Sequence, residues 1–125
     1  MVVTRQVFVT LDCAEPAPLA EFWAAMLGGE VTFTTADAVG VRTDSIRLAA
    51  MRVADHRPPT WPESDVPKQI HLDLGVTDLD AAVAEAERLG GRPAAEQPAP
   101  EHRRILLDPA GHPFCLTTRI PREAP

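Results

Sequence analysis

At 125 residues, with 45% hydrophobic and 24% charged, the chain has the size and composition of one globular domain that needs no staples to build a core. A net charge of −6, with no basic cluster longer than Arg103-Arg104, excludes an electrostatic footprint for nucleic acid. No apolar stretch is long enough to span a bilayer, the opening MVVTRQVFVTLD lacks the apolar core of a secretory signal, and Cys13 and Cys115 form no CxxC pair. A cytoplasmic protein with reduced thiols and without membrane partners is expected.

Residues 5–12 alternate as a strand, with Val7, Val9 and Leu11 on one side and Phe8, Thr10 and Asp12 on the other. Pro16 and Pro18 fall where a first helical turn tolerates proline. Leu19, Phe22, Trp23, Met26 and Leu27 then recur at helical spacing, which marks one buried face, and Gly28-Gly29 ends the helix. Extended segments are expected at 30–35, 39–42 and 46–53, separated by turn signals at Ala36-Asp37 and Thr43-Asp44-Ser45. In the last of them Ile46, Leu48 and Ala50 share one face, and Arg47, Ala49 and Met51 the other.

A proline-rich connection at 54–67 carries His56 and Trp61. A strand at 69–76 follows, then a helix that starts near Thr77 or Asp78 and has Asp80 in its first turn, where a carboxylate favours the helix dipole. Leu79, Ala82, Val83, Ala86 and Leu89 form its apolar stripe, and Gly90-Gly91 close it. Strands at 103–108 and 113–118 flank the turn Asp108-Pro109-Ala110-Gly111, and residues 119–125 read as a tail.

The chain therefore states one layout twice. VTLDCAEPAPLAEFWAAMLGGEV and IHLDLGVTDLDAAVAEAERLGGRP each run from a strand with Leu-Asp through an amphipathic helix to Leu-Gly-Gly and a new extended segment. A period of roughly 60 residues present twice is no solenoid; it indicates paired copies of one supersecondary unit. The fold class is α+β, with two βαβββ modules, 5–53 and 68–118, forming a curved mixed sheet around a central cleft, joined by a linker at 54–67 within a domain of residues 1–120.

Glu15-Pro16 followed by Phe22-Trp23-Ala24-Ala25-Met26-Leu27-Gly28, then His71-Leu72-Asp73-Leu74, Asp78-Leu79-Asp80 and Leu107-Asp108-Pro109-Ala110-Gly111, give the chain its likeness to a known group. It resembles the vicinal oxygen chelate superfamily of glyoxalase I, bleomycin-resistance proteins, fosfomycin-resistance enzymes and extradiol dioxygenases. The resemblance spans nearly the whole chain and implies the fold, a cleft for a small molecule and a homodimer. It does not fix a reaction.

Metal-dependent members of that superfamily hold a divalent cation with side chains from the opening and closing strands of each half. By that resemblance the four positions fall at Phe8 (or, sliding the count, Val9 or Thr10), Met51, His71 and Cys115. Only His71 is a typical ligand. Cys115 could bind a soft metal as thiolate, and Asp73 could add a third donor, but His71 and Cys115 alone fall short of the three protein ligands a catalytic zinc keeps. No cofactor is expected on this count.

The wall that remains, Phe8, Ala49, Met51 and Cys115 with Thr10, Arg47, His71, Asp73 and Thr117 around them, suits a flat or hydrophobic organic molecule. Trp61 reads equally as a lid over the cleft or as a pin for its loop. Binding of a small organic ligand, as in sequestration of an antibiotic or metabolite without catalytic metal, is the leading expectation. A glyoxalase-type lyase or isomerase, using an atypical metal site or His71 oriented by Asp73 as general base, is the alternative, and a ligand-free structural module the third. Cys115 has no activating base nearby in sequence and reads as inert; His56 and His102 read as solvated loop residues.

Overall fold

The computed structural model describes residues 6–60 and 65–120. The elements run β1 (Val9–Cys13), α1 (Pro16–Leu27), β2 (Glu30–Thr34), β3 (Ala38–Arg42), β4 (Arg47–Arg52), β5 (Leu72–Gly75), α2 (Leu79–Arg88), β6 (Arg92–Pro93), β7 (Arg103–Leu107) and β8 (Pro113–Thr117). The chain divides into two compact units between His56 and Arg57, each with its own four-stranded mixed sheet. The strand orders are β1-β4-β3-β2 and β5-β8-β7-β6, the same βαβββ arrangement built twice. In each, the first and last strands of the unit pair in parallel and the remaining pairs are antiparallel.

The first unit owes its core to α1. Pro16 occupies the first turn, where its missing N–H is no loss, and Leu19, Ala20, Phe22 and Trp23 are buried. Phe22 and Trp23 meet edge to face with ring centroids 5.2 Å apart, as expected of helix-core residues. They pack over Val39, Val41, Leu48 and Ala50, which share one face of the sheet by register and are all buried. The double glycine has two separate causes. Gly28 takes the left-handed conformation that ends the helix, at φ 64°, and a Cβ on Gly29 would lie 2.3 Å from the Arg42 carbonyl oxygen.

In the second unit α2 is capped by the Asp78 carboxylate, which accepts a hydrogen bond from the Ala81 N–H at 3.0 Å. Its stripe is thinner than the sequence pattern suggests. Ala86 is fully buried, while Leu79, Ala82, Val83 and Leu89 are half-buried. The deep core here comes from the strands, through Leu106, Phe114 and Leu116. Asp108 is buried too, and its Oδ1 accepts the N–H groups of Ala110 and His112 at 2.9 Å each, which fixes the β7–β8 turn.

Strand bounds differ from the sequence expectation chiefly at the unit openings: β1 starts at Val9 and includes Cys13, and β5 starts only at Leu72. Both are edge strands with one paired side, so their ends lack a ladder to extend them. β6 is two residues long, yet the chain beyond it is still held: Gln97 donates from Nε2 to the Ile105 carbonyl at 2.8 Å and accepts the Ile105 N–H at 2.9 Å, imitating a strand partner for β7.

Candidate functional site

A sheet packed under a helix on one face leaves the other to be lined by alternate residues. In the first unit that open face carries Thr10 and Asp12 from β1, Arg47, Ala49 and Met51 from β4, and Gly40 from β3. The ring of Phe33 lies directly over Gly40, where a Cβ would sit 2.1 Å from its Cε2. Phe8 meets Phe33 edge to face at a centroid distance of 6.0 Å. Phe33 remains 40% exposed and Met51 41%. Phe8, Thr10, Arg47 and Met51, singled out from sequence, thus share this face, and Phe33 joins them as a residue sequence reasoning missed. The available signal was Gly40, since glycine inside a strand often marks a close approach of another group.

The open face of the second unit has a different chemistry. Asp73 pairs with Cys115 and Gly75 with Thr117 in the β5–β8 register, while Leu72, Leu74, Phe114 and Leu116 turn to the helix side. His71, just before β5, lies two residues from Asp73 on the same side, and its Nε2 is 3.3 Å from Asp73 Oδ1. One ligand atom from each of His71, Asp73 and Cys115 lies within 4.8 Å of the other two. His71, Asp73, Cys115 and Thr117 are therefore brought to one face of one unit. Trp61 lies outside the described residues.

The electrostatics of this cluster decide what the thiol can do. Burial first, then the Asp73 carboxylate as neighbouring charge and hydrogen-bond acceptor, push the Cys115 thiol above its ordinary range; Arg103 and Lys68 pull the other way. A protonated thiol is a poor nucleophile. His71 beside Asp73 has the geometry of an imidazole oriented by a carboxylate. Imidazole, carboxylate and sulfur together are also donors for a divalent cation.

A surface depression of about 570 Å³ lies between the start of β1 and the β3–β4 turn, against Val7, Val9, Thr43, Ile46 and Arg47. Of the residues expected in a cleft it touches Arg47 alone. No helix among the described residues is long and apolar enough to cross a membrane.

A family model described as a glyoxalase-like domain matches residues 8–117. The chain belongs to the glyoxalase-like domain family, within the vicinal oxygen chelate superfamily. Solved structures carry the same fold. The fosfomycin resistance protein FosX from Mesorhizobium loti is 12% identical with a TM-score of 0.69, over 95% of this chain and 94% of that one. The bleomycin-binding protein from Streptomyces verticillus, solved with copper(II)-bleomycin, is 26% identical with a TM-score of 0.57, over 96% of this chain and all of that one. A FosX variant from Listeria monocytogenes, solved with Mn(II) and 1S,2S-dihydroxypropylphosphonic acid, is 14% identical with a TM-score of 0.68, over 96% of this chain and 93% of that one. Among curated proteins none matches the sequence. This glyoxalase-like domain thus shares its fold with a bleomycin-binding protein and with fosfomycin resistance proteins.

Proposed function

We propose that this glyoxalase-like domain binds a small organic molecule on the open face of its first sheet, sequestering an antibiotic or a metabolite without a catalytic metal. The observation that carries the reading is the Phe33 ring over Gly40, met edge to face by Phe8, on the sheet face that also carries the exposed Met51. Aromatic rings that offer both a face and an edge, and a polarizable thioether, accept planar or hydrophobic groups, and exposed apolar surface of this kind supports a binding site. Thr10 and Arg47 on the same face supply the few polar contacts that orient a ligand. The 26% identity to a bleomycin-binding protein supports the same reading.

A thermal-shift screen over antibiotics, bleomycin included, and over metabolites tests it. A ligand at 100 times its Kd should add about 2.7 kcal/mol of stability, and Phe33→Ala should remove the shift while leaving the fold intact. Stabilisation by no compound, or a ligand bound equally well by Phe33→Ala and Met51→Ala, would contradict the proposal. The reading includes a homodimer, for which edge strands β1 and β5, flanked by exposed Val7 and Ile70, supply surface; light scattering should give twice the chain mass.

A second reading rests on the 3.3 Å approach of His71 to Asp73. In it the protein is a glyoxalase-type lyase or isomerase with His71 as general base, oriented by Asp73. Turnover of the methylglyoxal–glutathione hemithioacetal, abolished by His71→Ala, is its expected result; no turnover with or without added metal counts against it.

A further inference from the structure

We infer that the open face of the first sheet takes a planar ligand bearing one carboxylate, and that the Arg47 guanidinium holds that carboxylate. This rests on the reading of the face as the ligand surface and adds the charge class of what it binds.

Three observations meet at Arg47. It is half-buried, yet among the described residues it has no ion pair and no hydrogen bond. The other described arginines of the first unit are engaged. Arg42 binds Glu30, while Arg52 donates to the Ala36 carbonyl at 2.7 Å and stands 3.9 Å from Asp37. A half-buried guanidinium has lost hydration that no protein acceptor replaces, and a ligand oxyanion would replace it. Next, Arg47 belongs both to the open face and to the wall of the depression of about 570 Å³, so space for a ligand group adjoins it. Finally, Val9 pairs with Leu48, which brings Phe8 level with Arg47, and Phe8 meets Phe33. A ring resting on these aromatics would present its carboxylate to the guanidinium fork, whose parallel N–H donors match the two oxygens.

The surrounding charges set the valence. Glu30, Arg42 and Arg47 stand in one row across β2, β3 and β4. Glu30 holds Arg42, and Asp44 also lines the depression, so the row offers one free guanidinium rather than a doubly positive pocket. A monoanion fits it; a dianion would face Glu30 and Asp44 without a second free cation. At the far end of the face Asp12 pairs with Met51, about 13 Å from Arg47 at the rise of a strand. The anionic end of a ligand therefore has one favourable direction along the sheet.

Affinities of the full chain for 2-naphthoate, its neutral carboxamide and 2-naphthyl phosphate are measured by titration calorimetry. Naphthoate should bind ~10-fold more tightly than the carboxamide, and the phosphate no more tightly than naphthoate. Arg47→Met should bring naphthoate down to the affinity of the carboxamide, and Phe33→Ala should weaken both. Equal binding of naphthoate and carboxamide, lost in Phe33→Ala, would overturn the charge assignment while leaving the face as the ligand surface. Because a variant could fail to fold, the unaltered chain supplies a second readout. The Arg47 Nε–H resonance should shift with naphthoate and not with the carboxamide, and the advantage of naphthoate should shrink as salt is raised. An unmoved Arg47 resonance, a carboxylate preference that survives Arg47→Met, tighter binding of the phosphate, or binding of neither naphthoate nor carboxamide would each overturn the inference.

Discussion

The two units repeat one topology but fill their open faces differently. The first presents Phe8, Phe33 and Met51 among Thr10, Asp12 and Arg47; the second presents His71, Asp73, Cys115 and Thr117. Their helices differ in the same sense. α1 drives large aromatic side chains into the core, whereas α2 buries only Ala86 completely and leaves the core to the strands. The backbone layout is shared while the side chains differ: exposed aromatic and thioether groups in one, imidazole, carboxylate and thiol in the other. A fold can be kept by its register and helix caps while its function is rewritten at alternate strand positions.

The contrast can be broken most forcefully in the cores. Trp23→Ala, at a position 2% exposed, should destabilise the protein by about 3–5 kcal/mol, whereas Leu89→Ala, at the half-buried C-cap of α2, should fall below the usual range of about 2–5 kcal/mol for a core leucine. Urea unfolding of both variants checks this, and equal losses would deny the asymmetry. Next in size, Gly40→Val forces the Phe33 ring off its seat. It should cost about 1–3 kcal/mol and abolish ligand binding to the first face, with the His71–Asp73–Cys115 cluster unaffected.

The helix starts offer a finer comparison. Asp78→Ala should cost about 1 kcal/mol, since its carboxylate caps α2, while Glu15→Ala should change little, because Glu15 makes no capping hydrogen bond to α1. Paired chemical denaturation curves read the difference.

Smallest in free energy is the titration of Cys115. Its folded thiol holds the proton more tightly than the unfolded one. The associated stability is therefore complete below the unfolded thiol's range and is lost as pH rises through the folded value. Asp73→Asn removes the negative charge that favours the protonated form, so at a fixed mildly alkaline pH it should speed alkylation of Cys115, with buried Cys13 as the unreactive reference. A slower reaction in that variant would reverse the assigned role of Asp73.

Much of this is legible in the sequence. The twofold layout, the helix ends at Leu-Gly-Gly, the Asp78 start and the Asp108-Pro109-Ala110-Gly111 turn all follow from local chemistry, where a few adjacent residues determine the backbone. So does the shared side of His71 and Asp73, which needs only the period of a strand. Two features needed more than local pattern. Cys115 meets Asp73 through a parallel pairing between strands some forty residues apart in sequence, and nothing near either residue encodes that register. Phe33 escaped because β2 carries an irregularity between Val31 and Phe33: Val31 pairs with buried Val41, yet Phe33 comes to lie over Gly40 on the opposite face. A bulge flips the alternation, and simple counting by twos fails there.

The central claim, that the first open face is the ligand surface, is tested most directly by methyl NMR on the protein labelled at its three methionines. On titration with a stabilising compound, the Met51 methyl should shift while that of Met26, half-buried on α1, stays in place. A compound that binds and leaves Met51 unmoved would contradict the account.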